Sequence, residues 1–478
     1  MKKIISILLT AELLMCGAAC SKNEEEGGKT SEVPTLTWLI PGDKQPDIAS
    51  VMAEANKITE AKIGARLDIQ FIDTGSFSER MKMNMAAGED FDLCFSGWVN
   101  PYTTAVKNGG LMDITEMIDA HPSLKETLPD YAWEAATIDG RVYGVPNLQI
   151  MATGTSLVIQ KAIADKYDFD WSTVKHINDI EPFLEMVKEG EPNLYPYRTN
   201  YGMQAWREVK WEGLSGGYVI ARDGSSSEIK LFRDTEEFKD AQETLRRWYQ
   251  KGYIRQDVLS AGDDTADEKA GKYVISTAVT KPGLAEISKQ LSGRDVIVVE
   301  VVEPYLQKSK CLATLIAIGA NSKNPEKAMD FIELVNTDTE LYNLICFGIE
   351  GKHYNLNEEG KVVYVEGSGY APKADWKFGN QFNAMLTEGM DDNIWEETAR
   401  INNEARKSPV LKFQFDSDPV RSQISQYSAI GDEFNVMNHG ADIPENYMNE
   451  WIQKCEAAGE DAIGEELQKQ INEFWANK

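Results

Sequence analysis

Trp38, Trp98, Trp206 and Trp376 stand at apparent strand ends or in loops crowded with polar side chains. An indole face in such a place can lie against the apolar C–H side of a polyhydroxylated ring. Asp73, Glu303, Tyr305, Asn380 and Gln381 offer carboxylate, phenol and amide groups that can pair the hydroxyls around its rim. Each has a structural alternative. Tryptophans also build cores, Asp73 can cap a helix starting near Ser76, and Asn380 and Gln381 can hold a hinge. Catalytic chemistry has no comparable footing. His121, His176, His353 and His439 include no two at metal-ligand spacing, and HExxH, CxxC, GxSxG and Walker A patterns are absent. Gly262–Asp267 is acidic but lacks the central glycine and closing glutamate of a calcium loop. No catalytic residue, metal site or cofactor is assigned.

The elements that must position these groups follow from hydrophobic period. Thr35–Ile40 reads as a strand closed by Pro41-Gly42, and Ile48, Val51, Met52, Ala55 and Ile58 then mark one helical face. Arg66–Phe71 is a second strand. Phe77, Met81 and Met85 mark a second helix, which Gly88 ends, and Phe91–Phe95 is a third strand. Strand, helix, strand, helix, strand predicts an α/β unit with a largely parallel sheet, whose carboxyl edge takes ligands. A new strand at Thr155–Gln160 places a crossing near residue 150 and opens a second α/β region. Val296–Val302 and Leu312–Ile318 are further strands, Asn324-Pro325-Glu326 starts a helix, and the C-terminus is helical.

The N-terminus carries one covalent chemistry. Lys2-Lys3 precede an apolar run from Ile4 to Met15, well short of the roughly 20 residues that cross a bilayer. Ala18-Ala19 then precede Cys20, as in a bacterial lipoprotein signal, which this segment resembles. That resemblance implies a signal peptide over 1–20, lipid attachment at Cys20 and export. Residues 21–33 read as a flexible tether, because Ser21 to Glu32 has no apolar side chain. Cys94, Cys311, Cys346 and Cys455 read as small core hydrophobes. The chain carries 77 acidic against 49 basic residues, a net charge of −28, which repels nucleic acid as a general partner.

Four segments from Pro34 onward carry a family likeness. They are Leu36-Thr37-Trp38 with Pro41-Gly42; Met81 to Asp92; Ala320 to Met329 with Leu341 to Leu344 and Gly348 to Tyr354; and Phe378 to Phe382 with Phe415 to Val420. In these the chain resembles the solute-binding lipoproteins of ABC importers, the maltose-binding-protein-like family 1, and within it the LplA-type branch. The resemblance implies a periplasmic-binding-protein-like type II fold, two α/β lobes around a hinged cleft. Matching order gives lobe one as 34–148 and 312–375, and lobe two as 149–311 and 376–478. It also implies a non-catalytic monomer that captures a small extracellular solute, here an oligosaccharide. Its partners would be the importer's membrane permease subunits and, through the lipid, the outer face of a cell membrane. A peptide or amino-acid-derivative receptor on the same fold is the alternative, and an exported glycoside hydrolase a further one.

Overall fold

The computed structural model describes residues 33–260, 264–441 and 446–477. Cys20, the signal and nearly all of the tether lie outside the described residues, as does part of the acidic 262–267 stretch. Two five-stranded sheets organise the rest. Their strands, in chain order, are β1 (Thr35–Pro41), β2 (Arg66–Ile72), β3 (Leu93–Gly97), β4 (Val145–Pro146), β5 (Ala152–Gln160), β6 (Tyr195–Tyr197), β7 (Tyr273–Val279), β8 (Val296–Leu306), β9 (Thr314–Ile318) and β10 (Arg406–Lys407). The first sheet has the order β2-β1-β3-β9-β4, and the second β10-β8-β5-β7-β6. Each sheet is the floor of one lobe of a bilobed, type II periplasmic-binding-protein-like fold.

The expected largely parallel sheet holds only in part. β1 pairs in parallel with β2 and β3, but β9 runs antiparallel to β3. In the second sheet the central β5 is antiparallel to both β7 and β8. The cause is topological. β5 and β9 are the strands that begin where the chain crosses between sheets, so they run away from the edge at which β1–β3, β7 and β8 end. The crossing edges of the two sheets therefore gather strand ends and the connections between lobes.

Those connections are held by backbone and amide hydrogen bonds. Asn147 N donates to Thr314 O at 2.9 Å, Gln381 N to Leu148 O at 2.8 Å, and Ser408 N to Leu306 O at 2.8 Å. Asn402, on the helix Ile394–Glu404, accepts from Met151 N (2.8 Å) and Ala152 N (2.9 Å) and donates to Gln149 O (2.7 Å). A long interdigitated core fills the first lobe, reaching Phe331 and Ile332 on the helix Pro325–Thr337 and also Phe378 and Ala384. Leu157, Ile275, Trp206 and Trp248 centre the second. The C-terminal helix Glu460–Ala476 buries Leu467 and Ile471 with Ile220 of a small antiparallel sheet. Cys94, Cys311, Cys346 and Cys455 are free and buried. Among the described residues no helix is long and apolar enough to cross a membrane.

Candidate functional site

Trp98 is placed by the turn that ends β3. Gly97 adopts φ +144°, and a Cβ there would sit 2.0 Å from Ala313 O, so only glycine lets the chain pass the start of β9. Gly97 N donates to Asn100 O (2.8 Å), and the Asn100 amide donates to Phe95 O (3.1 Å). This bonded turn holds out an indole that is 55% exposed, at the crossing edge of lobe one. Asp73 ends β2 at the same edge. It is exposed and accepts from Ser76 N at 3.1 Å, capping the helix Thr74–Ala87.

Tyr201 is the exposed ring at the crossing edge of lobe two, 41% exposed. It follows β6 in a loop that Asn200 clamps. The Asn200 amide donates to Thr277 O (2.7 Å) and accepts from the Thr277 hydroxyl (2.8 Å). Beside it, a cavity of about 480 Å³ runs between the second sheet and the helix Leu284–Ser292, with Asn200, Tyr201 and Lys281 in its wall.

Trp376 lies in the turn Asp375–Lys377. Its carbonyl accepts from the Asn147 amide at 3.1 Å, and the Lys377 ammonium sits 4.9 Å from its ring centroid while donating to Pro41 O. The half-buried ring walls a pocket of about 60 Å³ that Gln149, Gln381, Trp395, Lys281 and Ile287 also line. Gln381 Nε2 donates to the Asp375 carboxylate at 3.0 Å, and burial pushes that carboxyl up from its ordinary range. Burial pulls the Lys281 ammonium down, and Asp375 partly offsets this through space.

Four sequence-chosen residues are corrected here. Trp38 has no exposed surface. β1 continues to Pro41, so Trp38 lies inside the strand, opposite Ile69 and Leu93, and packs edge-on to Phe331 and Phe378 at 5.4 and 5.9 Å. Trp206 is equally buried. Its short helix turns the ring onto Trp248, and its Nε1 donates to Asn178 at 2.9 Å. Tyr305 is 2% exposed, donates to Glu212 at 2.8 Å and carries the Arg222 guanidinium 4.0 Å over its ring. Asn380 spends its amide internally, accepting from Phe382 N and donating to Asn336 O. Glu303 is exposed and ion-paired with Arg406. Tyr201, Lys281, Gln149 and Trp395 were missed. Only Tyr201 had a signal, as one of several aromatics in the loop-rich stretch after β6.

With both walls and the hinge in view, the family comparison is decisive: residues 54–344 match the bacterial extracellular solute-binding proteins. The chain belongs to that family. Its members bind and do not catalyse, and among the described residues no group of three or more metal-ligating side chains occurs. Residues 409–476 of this solute-binding protein match a domain of unknown function, DUF3502. It is similar to a carbohydrate ABC transporter substrate-binding protein of Streptococcus pneumoniae, 27% identical over 99% of this chain and 97% of that one. It is also similar to the N-glycan transport solute-binding protein NgtS of the same organism. Identity is 27%, covering 93% of this chain and 99% of that one, with a TM-score of 0.82. Against NgtS in complex with Man5GlcNAc the TM-score is 0.75, at the same identity and coverage.

Proposed function

We propose that this solute-binding protein captures an extracellular oligosaccharide between its lobes and delivers it to the permease subunits of an ABC importer. The observation that carries the reading is the pair of exposed rings at the crossing edges of the two sheets, Trp98 at 55% and Tyr201 at 41%, with the half-buried Trp376 in the turn Asp375–Lys377. Exposed rings on two walls can stack on a neutral sugar chain as the walls approach. Asp73 and Gln381 would pair hydroxyls. A net charge of −28 disfavours a small anionic ligand at long range. The S. pneumoniae relatives named for carbohydrate and N-glycan transport support the class. The protein acts as a monomer of the LplA-type branch.

Isothermal calorimetry with a panel that includes Man5GlcNAc tests the reading. A saturable one-to-one isotherm near micromolar affinity, about −8 kcal/mol, is the expected result. Scattering on the same samples should show a smaller radius of gyration with ligand, as residues 147–152, 306–313 and 376–406 flex. Binding only to peptides or amino acids would overturn the oligosaccharide reading.

The same reading tethers the protein by a lipid on Cys20, holding it at the outer face of the cell membrane. Acyl burial gives the membrane affinity, and the unpackable stretch 21–32 gives reach. Cys20→Ser should move the protein from the membrane fraction to the medium while its unfolding curve stays the same. Intact mass showing an unmodified Cys20 in the wild-type protein overturns the anchor.

A further inference from the structure

We propose that the cavity of about 480 Å³ between the second sheet and the helix Leu284–Ser292 takes the apolar aglycone of a glycoside whose sugar lies beside Tyr201. The inference rests on the oligosaccharide reading and deepens it. β5, β7 and β8 turn alternate residues to two faces. Leu157, Ile159 and Ile275 are buried in the core of the second lobe. Val158, Ala278 and Val296 lie on the other face, line the cavity and are only half-buried. Across from them stand Leu284, Ile287 and Leu291, an apolar stripe at helical spacing. Of these three only Leu284 is buried, and Leu291 is 66% exposed. Stripe and sheet face thus enclose the cavity rather than close on each other, although interiors otherwise pack densely. Hydrogen bonds hold the helix there. Its Gln290 amide donates to Glu388 O at 2.6 Å. Just beyond it, the Arg294 guanidinium donates to Lys269 O (3.0 Å), Ala270 O (2.7 Å) and Ser292 O (2.7 Å).

Shape and charge select the occupant. The cavity is lined along β7 from Tyr273 to Val279, about 20 Å at the rise of a strand, so it suits an elongated chain. The cations at its far end are engaged. Arg294 serves the three carbonyls, and Arg198 pairs with Asp264 and Glu268. Lys269 is exposed at the rim, and the Asn200 amide is bonded to Thr277. A second sugar would meet apolar walls where its hydroxyls need partners, whereas a hydrocarbon or aryl chain gains burial along the whole length. At the other end the cavity joins the cleft. Tyr201 and Lys281 are in its wall, and Lys281 and Ile287 also line the hinge pocket beside Trp376. Burial disfavours the charge on Lys281, so the head of a fatty acid finds no firm cation at this mouth. A chain entering here leaves the sugar it carries at the exposed Tyr201 ring.

The test uses N-phenyl-1-naphthylamine, a neutral apolar fluorophore, with the full soluble chain. Its emission should rise saturably at one site. Octyl α-D-mannopyranoside should displace it at a concentration about 10-fold or more below that needed of methyl α-D-mannopyranoside or of octan-1-ol, because chain burial and ring contact add in one molecule. Ala278→Phe fills the cavity from the sheet and Ser288→Phe from the helix. Each should abolish the fluorophore's signal with an unchanged urea midpoint, and having the two on different elements keeps the test open if one fails to fold. No fluorophore binding in the wild type overturns the cavity's role, as does binding that both variants preserve. Octan-1-ol or the methyl mannoside displacing as well as the octyl mannoside overturns the aglycone assignment. In all these cases the oligosaccharide reading stands if any oligosaccharide of the calorimetric panel binds. Failure of every sugar, the octyl mannoside included, overturns that reading and the aglycone assignment with it.

Discussion

Replacing Asn402 with leucine should destabilise the protein by about 3–5 kcal/mol, the loss of three hydrogen bonds that leaves buried main-chain groups unpaired. Asn402 is 1% exposed, and its side chain serves the first crossing between sheets and nothing else. Its oxygen takes both Met151 N and Ala152 N, and its nitrogen meets Gln149 O. Met151 and Ala152 are themselves buried, so water cannot replace the lost acceptor. Asn402→Asp keeps the two acceptor bonds but turns an oxygen toward the Gln149 carbonyl, and should cost an intermediate amount. Urea unfolding measures both, and amide exchange at Met151 and Ala152 should quicken first in the leucine variant. A loss below about 1 kcal/mol in Asn402→Leu would show that the crossing is held by the strands alone.

Much of the first lobe could be read from its hydrophobic period. The strand expected at Thr35–Ile40 forms over Thr35–Pro41, and that at Arg66–Phe71 over Arg66–Ile72. Phe77 and Met81 are buried on the helix that Gly88 ends in the left-handed conformation. Asn324-Pro325 starts the helix Pro325–Thr337, where proline's missing N–H costs nothing. Strand direction was not readable. A strand buried on both faces is apolar throughout whichever way it runs, and only the crossings set β5 and β9 antiparallel to their neighbours.

The candidate site was legible where backbone chemistry marked a strand's end and illegible where it did not. Ser96-Gly97 before Trp98 is such a mark, because the turn needs a glycine that can pass Ala313 O. Trp38 precedes a similar Pro41-Gly42 signal, but the strand runs on to the proline, which leaves the ring inside the sheet. Trp206 sits in a stretch that looks like loop in sequence. Its four-residue helix instead turns the ring inward onto Trp248, an outcome decided by tertiary packing. Lys281 and Gln149 belong to the hinge pocket only because chain segments more than a hundred residues apart meet there, and no local pattern encodes such a meeting.

Two tryptophans that look alike in the sequence should therefore respond in opposite ways to the same substitution. Trp98→Ala removes a ring that is 55% exposed, so stability should change by no more than about 0.5 kcal/mol. Oligosaccharide affinity should fall by about 1–3 kcal/mol, the scale of a lost central contact. Trp38→Ala empties a fully buried site between Phe331 and Phe378 and should cost about 3–5 kcal/mol of stability. Its folded fraction should bind as tightly as wild type, since the ring touches no cleft surface. Trp38→Phe sharpens the contrast. The Trp38 Nε1 is buried with no acceptor among the described residues, so phenylalanine removes an unpaired donor along with some volume and should cost less than alanine. Urea midpoints and calorimetry on one preparation of each variant separate the two effects. If Trp98→Ala binds as wild type while Tyr201→Ala or Trp376→Ala does not, the first-lobe wall is set by another residue and the cleft grips its ligand from the second lobe and the hinge. If Trp38→Ala weakens binding in protein that is fully folded, the core of β1 transmits strain to its carboxyl edge, and the division between packing and recognition drawn here fails at that strand.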